Sequence, residues 1–197
     1  MTPQAASILD LFRSTGAYLE GHFRLTSGLH SAEYLQCALV LQHPAVAEQL
    51  GRLLAQELVK LAPGRIDLVA SPALGGLIIG HEVARALGTR LVFTERDAAT
   101  GRMTLRRGFA VAPGETAVVV EDVITTGGST ADVIGVLRAA GARVPAAGSI
   151  IDRSGGRADV GVPRVALATL QMAAHHLEEC PLCARGIPIA KPGSRPA

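Results

Sequence analysis

The sequence predicts an α/β fold: a mainly parallel, twisted sheet with helices on both faces and a small N-terminal cap. Three observations carry this expectation. Strand-like and helix-like segments alternate from residue 46 onward. The strands are almost uninterruptedly apolar, as strands covered on both faces must be. Three strand ends open into loops of unusual composition, at 71–76, 94–108 and 121–129, and ligands bind in such sheets at the carboxyl ends of the strands.

Each element follows from local pattern. Val46, Leu50, Leu53, Leu54, Leu58 and Leu61 recur at helical spacing, with Glu48, Gln49, Arg52, Gln56 and Lys60 on the other face. The "PG" at 63–64 ends that helix, and "IDLVAS" (66–71) reads as a buried strand. "LIIGHEVARAL" (77–87) is helical, and Gly88 stops it. "TRLVF" (89–93) is a strand, followed by a polar, arginine-rich stretch from Thr94 to Gly108 without a clear period. A strand over 116–122 leads to a helix from about Ser129 to Gly141, and "VPAAGSIID" (144–152) and "RVALATL" (164–170) complete the sheet. Residues 1–40, with a helix near 4–14, form the cap, and 171–197 a tail. The whole reads as one domain, and only "KPGSRPA" (191–197) reads as disordered.

Composition narrows the function. The 197 residues are 48% hydrophobic and 18% charged, with net charge +2, the balance of a globular protein with a large core. That near-neutral balance and the scarcity of aromatics (two Tyr, four Phe, no Trp) argue against a nucleic-acid partner. No apolar run reaches the ~18 residues of a membrane span, and no signal peptide opens the chain, so the expected location is cytoplasmic. Three cysteines cannot close a disulfide framework. Of nineteen basic residues only Lys60 and Lys191 are lysines.

The most informative stretch is "VVVEDVITTGGST" (118–130). A buried strand ends in two carboxylates, Glu121 and Asp122, and then in consecutive amides, two glycines able to take positive φ, and hydroxyls at a helix start. Converging N–H groups and the positive end of a helix dipole make an anion nest, best suited to a phosphate monoester. Without the acids, a plain β–α turn capped by Ser129 would be the better reading. The acids suit sugar hydroxyls or a metal-bound polyphosphate. A P-loop is excluded, because "GGLIIGH" puts His81 where lysine is required, and no GxGxxG occurs.

This stretch resembles the phosphoribosyl pyrophosphate (PRPP) motif of the type I phosphoribosyltransferases. The resemblance implies that Glu121 and Asp122 hold the ribose hydroxyls and that the loop around Val123, Ile124, Thr125, Thr126, Gly127, Gly128 and Ser129 binds the 5-phosphate. "GHFRLTSGLHS" (21–31), "SPALGG" (71–76), the loop opening with Arg96, and "IIDRSGG" (150–156) occur in the order seen in orotate phosphoribosyltransferases, over roughly residues 15–157. It therefore implies an enzyme that joins orotate to PRPP in pyrimidine biosynthesis. Thr125, Arg153 and Thr26 would contact orotate, and Arg153 suits a carboxylate through two hydrogen bonds. Mg²⁺ would accompany the pyrophosphate, and a homodimer would let loop 94–108 act in trans.

Departures from the family bear on mechanism. Three positions that often carry lysine do not: Thr26 stands in the cap motif, Gly75 in the pyrophosphate loop, and the loop at 94–108 offers only arginines. Arginine stays protonated, so it can neutralise a leaving pyrophosphate but is a poor proton donor. Arg96 and Arg102 come first by position as the groups acting with Asp122. The rival readings are a purine phosphoribosyltransferase, for which Arg153 has no carboxylate to bind, and a non-catalytic PRPP-sensing regulator.

"HHLEECPLCARG" (175–186) needs its own account. Cys180 and Cys183 form a CxxC resembling a zinc knuckle, to which His175 or His176 could add a third ligand. A fourth would have to come from Cys37 or a partner chain, and reduced thiols without metal are the simpler reading. Any zinc there would be structural.

Overall fold

The computed structural model describes residues 3–25 and 27–192. Thr26 and most of the segment expected to be disordered (193–197) lie outside the described residues. The chain divides into two compact units, one from residues 41–170 and the other from 1–40 together with 171–197.

The larger unit holds a six-stranded sheet. Its strands are β3 (Leu68–Pro72), β4 (Arg90–Arg96), β5 (Met103–Leu105), β6 (Thr116–Ile124), β7 (Arg143–Asp152) and β8 (Arg164–Thr169). In space they run β5-β4-β3-β6-β7-β8. All neighbours are parallel except β5, which pairs antiparallel with β4 through Thr94↔Leu105 and Arg96↔Met103. The arginine-rich stretch is thus a hairpin. Its missing period reflects only three residues of β5 at a sheet edge, too few to show alternation.

Helices α3 (Pro44–Leu61) and α4 (Gly76–Leu87) pack on each other; α5 (Gly128–Ala139) packs against β3, β5, β6 and β7. The two-residue period of β6 divides its side chains between these layers. Ala117 and Val119 join Val133, Ile134 and Leu137 of α5 in one apolar cluster. On the other face the backbone of Val120 lies against Gly76 of α4. Helices on both faces explain why these strands read as solid apolar runs.

Close contact between α3 and α4 depends on a missing side chain. A Cβ on Gly51 would lie 2.5 Å from Cβ of Glu82 and 2.8 Å from its carbonyl carbon. Gly135 on α5 has open space around it.

The smaller unit contains α1 (Pro3–Ser14), the antiparallel hairpin β1 (Tyr18–Arg24)–β2 (His30–Leu35), and a C-terminal segment with a 3₁₀ turn (Leu177–Glu179) and α6 (Pro181–Ala184). The helix α2 (Cys37–Leu41) leads out of it. The C-terminal segment adds backbone pairs to both hairpin strands. Arg24 N–H donates to the Ala190 carbonyl and Ala190 N–H to that of His22, each at 2.8 Å, and His30 and His175 exchange two bonds of 2.8 Å. The pattern 18–35 alternates too irregularly to read as strands: Glu20 and Gly21 are both exposed, and the ladder slips between Glu20 and Phe23.

Two alanine substitutions should move stability in opposite directions. Gly51→Ala forces α3 and α4 apart at a cost of about 1–3 kcal/mol, outweighing the helix propensity it adds. Gly135→Ala meets nothing and gains up to ~1 kcal/mol. Thermal melts should show Gly51→Ala lowered by roughly 2–10 °C and Gly135→Ala raised by a few degrees. Equal shifts of one sign would refute the packing argument.

Candidate active site

Glu121 and Asp122 stand at the carboxyl end of β6, and the strand sends them to opposite faces. Glu121 shares the face of Ala117 and Val119 and is buried; the Thr130 hydroxyl of α5 donates to it at 3.4 Å. Asp122 turns the other way, toward the start of α4. A Cβ on Gly75 would come within 2.7 and 2.8 Å of its carboxylate oxygens. Gly75 has ordinary helical φ of −57°, so room, and not backbone freedom, is what it supplies. At Gly75 bare backbone comes up to an acid. The preceding Ala73–Leu74 peptide is cis.

Burial pushes the Glu121 carboxyl well above the usual carboxylate range, and the neighbouring Asp122 charge pushes it further, against the Thr130 hydrogen bond. Asp122 is raised as well, again by burial, although the Val123 N–H donates to it at 2.8 Å. Two acids held reluctantly as anions are ready acceptors for hydroxyl donors or a nearby cation.

Beyond them Glu121 and residues 123–130 border a groove. Ile124 is buried, so its contribution to the groove is backbone. Thr125 and Thr126 are exposed. Only Gly127 of the two glycines takes positive φ (+85°); Gly128 is the first residue of α5, and Gly127, not Ser129, is the helix N-cap. Gly127 is doubly constrained, since a Cβ there would also meet Val160 at 2.8 Å. The turn aims the first N–H groups of α5, which lack intrahelical partners, at the groove.

Arg153 follows β7 directly, and its N–H donates to the Ile124 carbonyl at 2.8 Å. Sheet pairing therefore sets Arg153 beside the start of the loop that borders the groove. The segment after it is held by a network in which Asp152, 1% exposed, pairs with Arg164 at 2.7 Å. Asp152 also accepts the Ser154 N–H at 2.7 Å, its hydroxyl at 2.6 Å, and the Gly156 N–H at 3.0 Å. Burial pushes the Asp152 carboxyl up, but the bonds from Ser154 and Arg164 outweigh it and hold it below the usual range. Neither Asp152 nor Arg164 stands among the candidate residues of the sequence. The spacing of an acid two residues before a serine was the available signal, because such an aspartate turns back on its own backbone.

Of the loop arginines, Arg96 donates to the Gly101 carbonyl at 2.7 Å and reaches Asp132 of α5 at 3.3 Å. Arg107 grips Glu95 through two bonds of 2.8 Å. Arg102 and Arg106 are exposed. The hairpin tip is shaped by Asp97, which accepts the Ala99 and Thr100 N–H groups.

In the smaller unit, Cys180 and Cys183 lie with His22 and His30, their ligating atoms all within 4.8 Å of one another. His175 and His176, expected beside the cysteines, are not in this group. His175 instead pairs its backbone with His30. Cys37 is buried outside the group.

Comparison with known proteins agrees with this geometry. Residues 38–171 match the phosphoribosyl transferase domain family. The chain is 55% identical over 188 residues to an orotate phosphoribosyltransferase of Heliobacterium modesticaldum, covering 95% of this chain and 97% of that protein. A second, from Pelotomaculum thermopropionicum, is 53% identical over 188 residues, covering 95% and 96%. The crystal structure of orotate phosphoribosyltransferase from Aeropyrum pernix aligns with TM-score 0.68 at 30% identity, covering 83% of this chain and 94% of that one.

Two variants test the electrostatics. Glu121 keeps its proton more firmly when folded, so its contribution is fully present below the ordinary glutamate pKa and is lost as pH rises through the raised folded value. Glu121→Gln removes that loss. Its melting temperature should exceed the parent's at about pH 8 and match it near pH 4; a gain confined to acid pH would contradict this. Arg164→Ala strands a buried Asp152 and should cost about 3–5 kcal/mol in urea unfolding.

Proposed function

Because the chain belongs to the phosphoribosyl transferase family, we propose that it transfers the phosphoribosyl group of PRPP to orotate. The products are orotidine 5-phosphate and pyrophosphate, a step of pyrimidine biosynthesis. The observation that carries this reading is the near full-length likeness to proteins named for that reaction, joined to the acid pair and phosphate groove at the end of β6. Purine transfer and non-catalytic sensing are not favoured by the same likeness. The catalytic unit is taken as one domain over 1–197, with 1–40 as its cap and 171–197 as its tail.

In this reading Glu121 and Asp122 accept hydrogen bonds from the two ribose hydroxyls, one from each side of the strand. The amides from Thr125 to Ser129, at the positive end of α5, hold the 5-phosphate. Arg153 and Thr125, with Thr26, receive orotate, the guanidinium gripping its carboxylate. Val123 and Ile124 supply backbone, and Gly75 lets the PRPP-binding loop at 71–76 approach Asp122 closely.

Mg²⁺ fits this site by the chemistry of its donors. Hard carboxylate oxygens lie beside a phosphate groove, and such an ion typically keeps several waters and binds through one or two carboxylates plus substrate phosphates. Bound there, it neutralises charge on the departing pyrophosphate. The protein's own part is electrostatic. Displacement by N1 of orotate builds positive charge on the ribose ring, which the buried acids stabilise, and negative charge on the leaving group, which arginines stabilise. Arg102 is the better placed, being exposed on the hairpin; Arg96 must first release Asp132 and the Gly101 carbonyl. As a homodimer, the protein would present hairpin 94–108 to its partner's site, where closure excludes water. A structural zinc ion on Cys180 and Cys183 takes no part in the displacement. Among the described residues no helix is long and apolar enough to cross a membrane.

Loss of orotate absorbance, followed with PRPP and Mg²⁺ and with adenine, hypoxanthine and uracil in parallel, tests the reading. Orotate alone should be consumed, and only with Mg²⁺. Arg153→Ala should lower kcat/KM for orotate roughly 10–150-fold while leaving PRPP affinity within about threefold, the loss expected for a charged hydrogen-bonded contact. Consumption of a purine, or PRPP binding with no base consumed, would reject the orotate assignment.

A further inference from the structure

The β1–β2 hairpin and the C-terminal segment meet at a point that the displacement reaction does not use. His22 on β1, His30 at the start of β2, and Cys180 and Cys183 at the ends of a CxxC turn direct four metal-ligating atoms at one centre. His22 Nε2 lies 3.0 Å from His30 Nδ1 and 3.6 Å from each sulfur, and His30 Nδ1 lies 3.2 Å from the Cys183 sulfur. His22, His30 and Cys180 are 3%, 5% and 2% exposed.

We propose that His22, His30, Cys180 and Cys183 form a structural zinc site of the His₂Cys₂ type that ties the two ends of the chain together. Tetrahedral zinc with bonds of 2.0–2.3 Å requires ligand–ligand edges of roughly 3.3–3.8 Å; the four separations above, 3.0–3.6 Å, lie close to these, and all four ligating atoms lie within 4.8 Å of one another.

The surroundings are those of a metal ligand set. The Nδ1–H of His22 donates to the Ile187 carbonyl at 2.7 Å. That bond fixes the tautomer and leaves Nε2 with its lone pair facing the centre, as carbonyl-oriented histidine ligands do. Backbone N–H groups of Cys183 and Leu182 point at the Cys180 sulfur, compensating charge on a thiolate. Without an ion, the one lone pair on His22 Nε2 faces His30 Nδ1 and two thiols, and it can accept from only one donor well. A single cation gives every one of these atoms a partner. Two imidazoles and two thiolates at tetrahedral spacing select zinc over magnesium or calcium, which prefer oxygen.

The consequence is topological. His22 and Cys180 are separated by 158 residues, so the ion would close a very long loop and convert binding energy into stability of the unit built from 1–40 and 171–197. The backbone pairs of Ala190 with Arg24 and of His175 with His30 flank it on either side.

The test uses the full chain, purified under reducing conditions with neither chelator nor added metal. Elemental analysis should find about one zinc per chain, bound with its ligands deprotonated. Replacing it with Co²⁺ should produce the visible bands of a tetrahedral thiolate site. Cys180→Ser/Cys183→Ser should abolish both signals. His30→Ala should weaken Zn²⁺ binding by more than the 10–100-fold that an outer partner costs, whereas His175→Ala and His176→Ala should leave it unchanged. The cobalt spectrum of the unmutated chain keeps the test valid where a variant fails to fold. Sub-stoichiometric zinc with no visible bands on Co²⁺ titration would overturn the proposal. So would a Cys180–Cys183 disulfide persisting under reduction, or equal loss of Zn²⁺ in His175→Ala.

Discussion

Everything at the substrate end of this protein depends on how β6 carries two acids out of an apolar core. Successive side chains of a strand leave by opposite faces, so Glu121 goes under α5 and Asp122 toward α4. Side by side on one face, two buried carboxylates would repel directly. Divided by the strand, Asp122 still raises the proton affinity of Glu121, and burial raises that of Asp122.

The loop beyond them depends on the same strand. Gly127 turns with φ of +85° against Val160, where a side chain is excluded by both backbone and space. The next strand carries Arg153 to the same rim through its bond to Ile124. Asp152 and Arg164 hold the segment behind it, so Arg153 stands beside a buried ion pair. The chemistry that results is one of fixed charge. Lysine occurs only at positions 60 and 191, so the fixed positive charge at these strand ends comes from arginines and from the amides of α5.

The unit built from the chain ends is stabilised differently. Its hairpin is short and irregular, and two-stranded sheets are marginal alone. Backbone pairs from residues 175 and 190 and the cluster of His22, His30, Cys180 and Cys183 supply what the small core cannot. The His/Cys cluster belongs to the smaller unit, and the acid pair belongs to the strand ends of the larger one.

The sequence by itself determined the large unit and the acid pair with the glycine loop that ends β6. Solid valine and alanine runs, helical periodicity and the run from Val118 to Thr130 are local signals, each readable within a few turns of chain. The structure added α2, the β1–β2 hairpin and β5, elements too short or too irregular for periodicity to register. It also decided every feature that depends on distant residues meeting. Asp132 against Arg96, Arg164 against Asp152, and Gly75 against Asp122 are such pairs. The metal cluster is the clearest case. His22 and His30 lie inside a stretch noted for other reasons, and His175 stands nearer to the cysteines in sequence. Hairpin pairing and the tail's return brought the first two to the sulfurs and turned the third to backbone pairing, because a ligand set is defined by distance in space, which spacing along the chain does not encode.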